Sequence, residues 1–188
     1  MAGPLGADFH IGLPPSEFHR VANVVPPPAV PTDLPQFDPN SVAFKTWTNP
    51  TMPPGMKWSW TERWRRADIG AFNGHGNARS VARLQSAVAC AGQVDGVRLL
   101  SPKTIDRIFE VQSNGIDLVI GIPLKIGVGY SLPTEGRVCC WGGAGGSLAL
   151  IDVDRRMTFA YVMNKMAPGG GAPIAEALAE RVKDIVTR

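Results

Sequence analysis

The sequence is poor in the residues from which many sites are built: its 188 positions hold three histidines, three cysteines and two tyrosines. His10, His19 and His75 form no HExxH or paired spacing and have no cysteine cluster nearby, so the usual metal patterns are excluded and no metal site is expected. Cys90, Cys139 and Cys140 are odd in number and two are adjacent, which suits neither a disulfide framework nor a zinc knuckle. Free thiols in a reducing, cytoplasmic compartment are the expectation. No apolar run approaches the roughly 18 residues a membrane span needs, because glycine, proline or charge interrupts each candidate. The first ten residues also lack the basic and apolar regions of a signal peptide. The formal charge is +3, and the cations are scattered except for Arg63, Arg65 and Arg66, which argues against a nucleic-acid track. Nothing in the residues calls for a cofactor.

With 44% hydrophobic and 19% charged residues, the chain has the composition of a folded protein. Twelve of the 17 prolines lie in residues 1–54, among them Pro14-Pro15, Pro26-Pro27-Pro28 and Pro53-Pro54, which excludes long helices there. Trp47, Trp58, Trp60 and Trp64 follow closely, and rings of that size are expected to be buried, so this stretch should wrap a surface rather than float. The composition shift divides the chain into a Pro/Trp-rich segment, 1–72, and a segment of regular elements, 73–188.

From Asn73 onward the pattern becomes periodic. Asn77 caps a helix running to about Cys90, with Val81, Leu84, Val88 and Ala91 at helical spacing and Gly92 as the stop. Ser101-Pro102 opens a second, short helix carrying Ile105, Ile108 and Phe109. Residues 117–132 read as extended, with Gly127 and Gly129 permitting close backbone approach or a bulge. Ser147–Asp152 and Met157–Asn164 are β-prone runs joined by the turn Val153–Arg156, a predicted antiparallel hairpin. Pro173 opens a last helix with Ile174, Leu178, Val182 and Ile185 on one face, a stripe that should lie on a sheet or helix. This order indicates an α+β fold with an antiparallel sheet flanked by helices.

Only one segment invites chemistry from its own residues. Trp141-Gly-Gly-Ala-Gly-Gly-Ser147 fails as a phosphate loop, since no GK[ST] and no helix follow. As a nucleophile elbow it lacks the helix required after Ser147. Two readings stay open: a glycine corner with a purely structural role, or a strand edge bare enough for a substrate to lie against the backbone while a main-chain N–H faces a developing oxyanion. His75, on a glycine-flanked turn, is read as structural rather than as a general base.

Cys140-Trp-Gly-Gly-Ala-Gly-Gly-Ser147, followed by Asp154-Arg-Arg-Met-Thr-Phe-Ala-Tyr-Val-Met-Asn-Lys-Met166, resembles the C-terminal part of serine hydrolases related to class C β-lactamases, in particular the family VIII carboxylesterases. Met1–Leu13, Gly74–Arg83 and Leu99–Pro102 fit the same family. The resemblance implies a β-lactamase/DD-peptidase-like fold, in which residues 1–72 belong to the helical or lid region. It implies acyl-enzyme hydrolysis of a small ester by the serine of an SxxK motif, with its lysine and a YxN tyrosine handling protons. It further implies that Trp141, Gly142 and Gly143 match the third motif and that Ala144 supplies an oxyanion-hole N–H.

The other two motifs are missing: no serine has lysine three residues later, and Tyr130-Ser-Leu and Tyr161-Val-Met-Asn164 miss YxN, both tyrosines falling in predicted strands. Ser41 has Lys45 one position too far. No catalytic residue can therefore be assigned. The chain is expected to be an incomplete, C-terminal piece of a longer esterase, inactive alone and either complemented by a separate N-terminal half or self-associating. A non-catalytic module that binds an acyl ligand is the alternative.

Overall fold

In the computed structural model the residues described are 1–27, 38–49, 57–133, 135–168 and 173–186. Pro28, Pro53-Pro54 and Gly169–Gly171 lie outside them. The described residues of the Pro-rich third form short elements: strand β1 (Phe9–Ile11), three 3-10 turns, and helices α1 (Val42–Thr48) and α2 (Glu62–Arg66), whose N-caps are Ser41 and Thr61. Strand β2 (Gly74–Gly76) pairs antiparallel with β1, placing His10 opposite His75. Three tryptophans meet their expectation in part. Trp58 and Trp64 stack edge-on with ring centroids 4.2 Å apart, and Trp60 is half-buried. Trp47 does not: it is 57% exposed, its indole N–H donating to the Val119 carbonyl at 3.4 Å.

Helix α3 (Ala78–Ala89) begins where the Asn77 side chain accepts the Ser80 N–H, and it ends as Ala91 turns left-handed (φ 54°) and the Gly92 N–H returns to the Ala87 carbonyl. A two-residue hairpin, β3 (Gln93–Val94) and β4 (Val97–Arg98), leads to α4 (Pro102–Ile108), capped by the Ser101 hydroxyl. The stretch expected to be extended over 117–132 is only partly so. Strand β5 (Ser113–Ile116) starts earlier and pairs with β6 (Pro123–Ile126), whereas 117–122 forms the turn between them, held by the Asp117 carboxylate accepting the Val119 and Ile120 N–H groups. Tyr130 likewise sits in a bend rather than a strand, its hydroxyl donating to Gln85 at 2.7 Å. Gly127 is a close-approach glycine: a Cβ there would collide with the Ile108 carbonyl, which accepts the Val128 N–H at 3.1 Å.

The centre of the molecule is an antiparallel sheet of β7 (Val138–Gly142), β8 (Leu148–Asp152) and β9 (Met157–Tyr161), in that order. The expected hairpin is the β8–β9 pair. Period-two alternation sends Cys139, Ile151 and Val153 to one face, against Val88 and Ala89 of α3 and Ile105 and Ile108 of α4. Val138, Leu150 and their neighbours line the other face with Ala179 of the last helix, α5 (Pro173–Val186). Helices therefore cover both faces, as expected for the α+β fold.

Helix α5 corrects one expectation. Its packed positions are Ala175 and Ala179, while Ile174 (59% exposed), Leu178 (45%) and Ile185 (71%) point away from the sheet. Small residues let the helix approach the β8–β9 surface closely; of the predicted stripe Val182 is half-buried, and Ile174, Leu178 and Ile185 are left uncovered.

Candidate active site

The glycine-rich segment forms the end of β7 and its turn into β8. Gly143 N–H donates to the Ser147 carbonyl at 2.8 Å and Gly146 N–H to the Gly143 carbonyl at 3.1 Å, closing a tight turn. At the other end of the strand, Val153 N–H donates to the Arg137 carbonyl at 3.0 Å. Odd-numbered residues of β7 thus bond to β8, and even-numbered ones address the opposite edge, as the antiparallel ladder requires. Cys140 confirms the phase: its N–H and carbonyl both pair with Ser131, at 2.9 Å each. The same alternation directs Gly142 toward the open edge. The exposed Ala144 follows in the turn, and its N–H has no hydrogen-bond partner among the described residues. Trp141, 50% exposed, stands beside them.

Ser147 is followed by β8, not by a helix, so the elbow geometry is absent, as the sequence led one to expect. Its hydroxyl lies over Gly143, where a Cβ would collide with it. A larger residue at 143 would require the Ser147 hydroxyl to rotate away, a constraint internal to the turn. Other serine hydroxyls are committed to local structure. Ser41 caps α1 by accepting the Phe44 N–H at 3.0 Å, Ser86 donates to the Arg83 carbonyl, and Ser101 caps α4. Ser80 accepts the Asp8 N–H at 3.1 Å. Tyr130 is packed against the core with its phenol pKa raised, chiefly by burial, so it is a poor proton carrier near neutral pH. The three cysteines are free. Cys139 is buried and its thiol pushed up to about 12, mainly by desolvation, which leaves it protonated and inert.

Two contributors were not visible in the sequence. Met166 is buried against Gly145, and Ala167 N–H donates to the Gly145 carbonyl at 2.8 Å. Both arrive from a loop after β9 that carries no local motif. His75, singled out as structural, lies in β2, in a different sheet from this turn. Among the described residues no group of three or more His, Cys, Asp or Glu side chains could hold a metal.

A bare strand edge beside a glycine turn, on an antiparallel sheet covered by helices on both faces, is the arrangement of a β-lactamase-like fold. The Beta-lactamase family model matches residues 1–183, and the chain belongs to that family. Among proteins it resembles, "Esterase/beta-lactamase LipL" of Mycobacterium tuberculosis (strain ATCC 25618 / H37Rv) is 32% identical over 108 residues, which are 53% of this chain and 24% of LipL. A structure described as a family VIII carboxylesterase superposes with a TM-score of 0.75 at 29% identity, covering 88% of this chain and 44% of that one. EstA from Arthrobacter nitroguajacolicus Rue61a superposes at 0.84 with 25% identity, covering 100% of this chain and 52% of EstA. The chain thus spans about half the length of these solved structures and a quarter of LipL. No helix among the described residues is long and apolar enough to cross a membrane.

Proposed function

We propose that this chain supplies the oxyanion-stabilising wall of a serine hydrolase acting on small carboxylic esters, and that the nucleophile and its proton-handling partners come from a separate polypeptide segment of similar length. The observation that carries this reading is the unpartnered Ala144 N–H at the end of β7, beside the open backbone of Gly142 and the half-exposed ring of Trp141. An ester laid along that edge would place its carbonyl oxygen on the Ala144 N–H, and the Trp141 ring would form an apolar wall for the acyl or alcohol group. A backbone donor fixed in advance stabilises the charge that develops on that oxygen without reorganising during reaction. The wall does not attack: with no activated hydroxyl, the acyl-enzyme cannot form.

A partner segment is supported by the uncovered stripe on α5 and by β9, which has no ladder partner on its outer side among the described residues. The test is hydrolysis of p-nitrophenyl butyrate. The purified chain is expected to show no turnover above buffer, and turnover is expected on mixing with a polypeptide that carries the SxxK and YxN region. Hydrolysis by the chain alone that a serine-directed phosphonate abolishes would overturn the assignment. Saturable ester binding without product, even in the mixture, would favour the non-catalytic binding module instead.

A further inference from the structure

The turn that presents Ala144 has little to hold it in place by itself. Its tip, Gly145-Gly146, adopts φ values of 90° and 112°, and paired glycines lose more conformational freedom on ordering than any other residues. Its two internal hydrogen bonds lie on Gly143 and Gly146, leaving the Gly145 carbonyl to an external partner. That partner is the Ala167 N–H at 2.8 Å, while Met166 fills the space over Gly145 so closely that a Cβ there would lie 2.6 Å from the Met166 Cγ.

Met166 is held in turn by the Pro-rich segment. Val25 N–H donates to the Asn164 carbonyl at 2.6 Å and Met166 N–H donates to the Val25 carbonyl at 2.9 Å, a parallel bridge between stretches far apart in sequence. The preceding carbonyl, Val24, accepts the Trp60 indole N–H at 2.9 Å. A continuous path therefore runs from the Trp60 indole through Val24-Val25 to Met166-Ala167, and from there to the Gly145 carbonyl.

We infer that Met166, braced by Val25 and anchored by Trp60, is a positioning residue that fixes the β7–β8 turn and with it the direction of the Ala144 N–H. Val24-Val25, pinned by Trp60, then serves as a strap behind the Gly145 turn. The inference deepens the proposed function and rests on it for its catalytic meaning, but the strap itself can be tested without turnover. A donor that wanders stabilises a developing charge poorly, so such a site needs a supporting shell.

Amide hydrogen exchange on the chain is the experiment, with the variants Met166→Ala, Met166→Leu and Trp60→Phe. Local opening of the turn is expected to raise exchange at Gly146 and Ala167 by about tenfold or more in Met166→Ala and Trp60→Phe. The Leu150 and Phe159 amides, which face each other in the β8–β9 ladder, should stay unchanged, and Met166→Leu should restore the protection. Unaltered exchange at Gly146 and Ala167, or a uniform rise through β7–β9, would overturn the strap. In the mixture with the nucleophile-bearing polypeptide, Met166→Ala should lower kcat with little change in KM. If exchange responds while kcat does not, the strap stands and the assignment of Ala144 to the oxyanion hole fails.

Discussion

His75 faces His10 across the β1–β2 pair, in a strand that borders the start of α3. Burial depresses its imidazole pKa below the usual 6.5, outweighing an upward pull from the Asn73 backbone, and the nearby Arg65 and His10 lower it further. A group with a depressed folded pKa binds fewer protons folded than unfolded, so it costs no stability above the unfolded value of 6.5 and destabilises as pH falls below it. The thermal midpoint is therefore expected to drop between about pH 6.5 and pH 5, and His75→Asn should flatten that drop; parallel profiles for the two proteins would refute the assignment. At this scale the sequence was informative wherever the partner is local. Asn77 and Ser101 cap helices through bonds to residues three positions on, and such patterns are legible from spacing alone. Met166 and Val25 meet across long separations, and no local pattern marks either one.

Among the elements, α3, α4 and the β8–β9 hairpin match their sequence signals, because capping, periodicity and a polar turn agree for each. The stretch 117–132 misled because β-prone residues such as Val119 and Ile120 occupy a turn that the Asp117 carboxylate organises. Helix α5 misled differently. Hydrophobic spacing selected the larger side chains, but closeness of approach selected Ala175 and Ala179, which are 0% and 2% exposed. Ala179→Leu should overpack this contact and cost about 1–3 kcal/mol, while the exposed substitution Leu178→Lys should stay within about 0.5 kcal/mol, both read from urea midpoints at constant slope. Equal losses from the two would mean that α5 packs through its larger stripe after all. The glycine turn was legible as a candidate site but not in its constraint, since only the structure places the Ser147 hydroxyl over Gly143.

The whole molecule combines a closed core on one side with uncovered apolar surface on another. The α3 and α4 face of the sheet is filled by Val88, Ile105, Ile151 and their neighbours, whereas the α5 side ends in Ile174, Leu178 and Ile185, with the outer edge of β9 nearby in the fold. Open strand edges and contiguous apolar patches drive association unless something covers them. The chain spans about half the length of these solved relatives, and the complementing segment proposed above would cover this surface. In isolation the chain is therefore expected to self-associate with rising concentration, as read by sedimentation velocity. Replacing Ile174, Leu178 and Ile185 together by lysine should shift it toward the monomer with its far-ultraviolet circular dichroism retained. On the complementation proposed above, the same triple variant should also weaken capture of a polypeptide carrying the SxxK and YxN region. Retained self-association in the folded triple variant would move the interface away from α5, and the β9 edge would then be the surface through which the chain pairs.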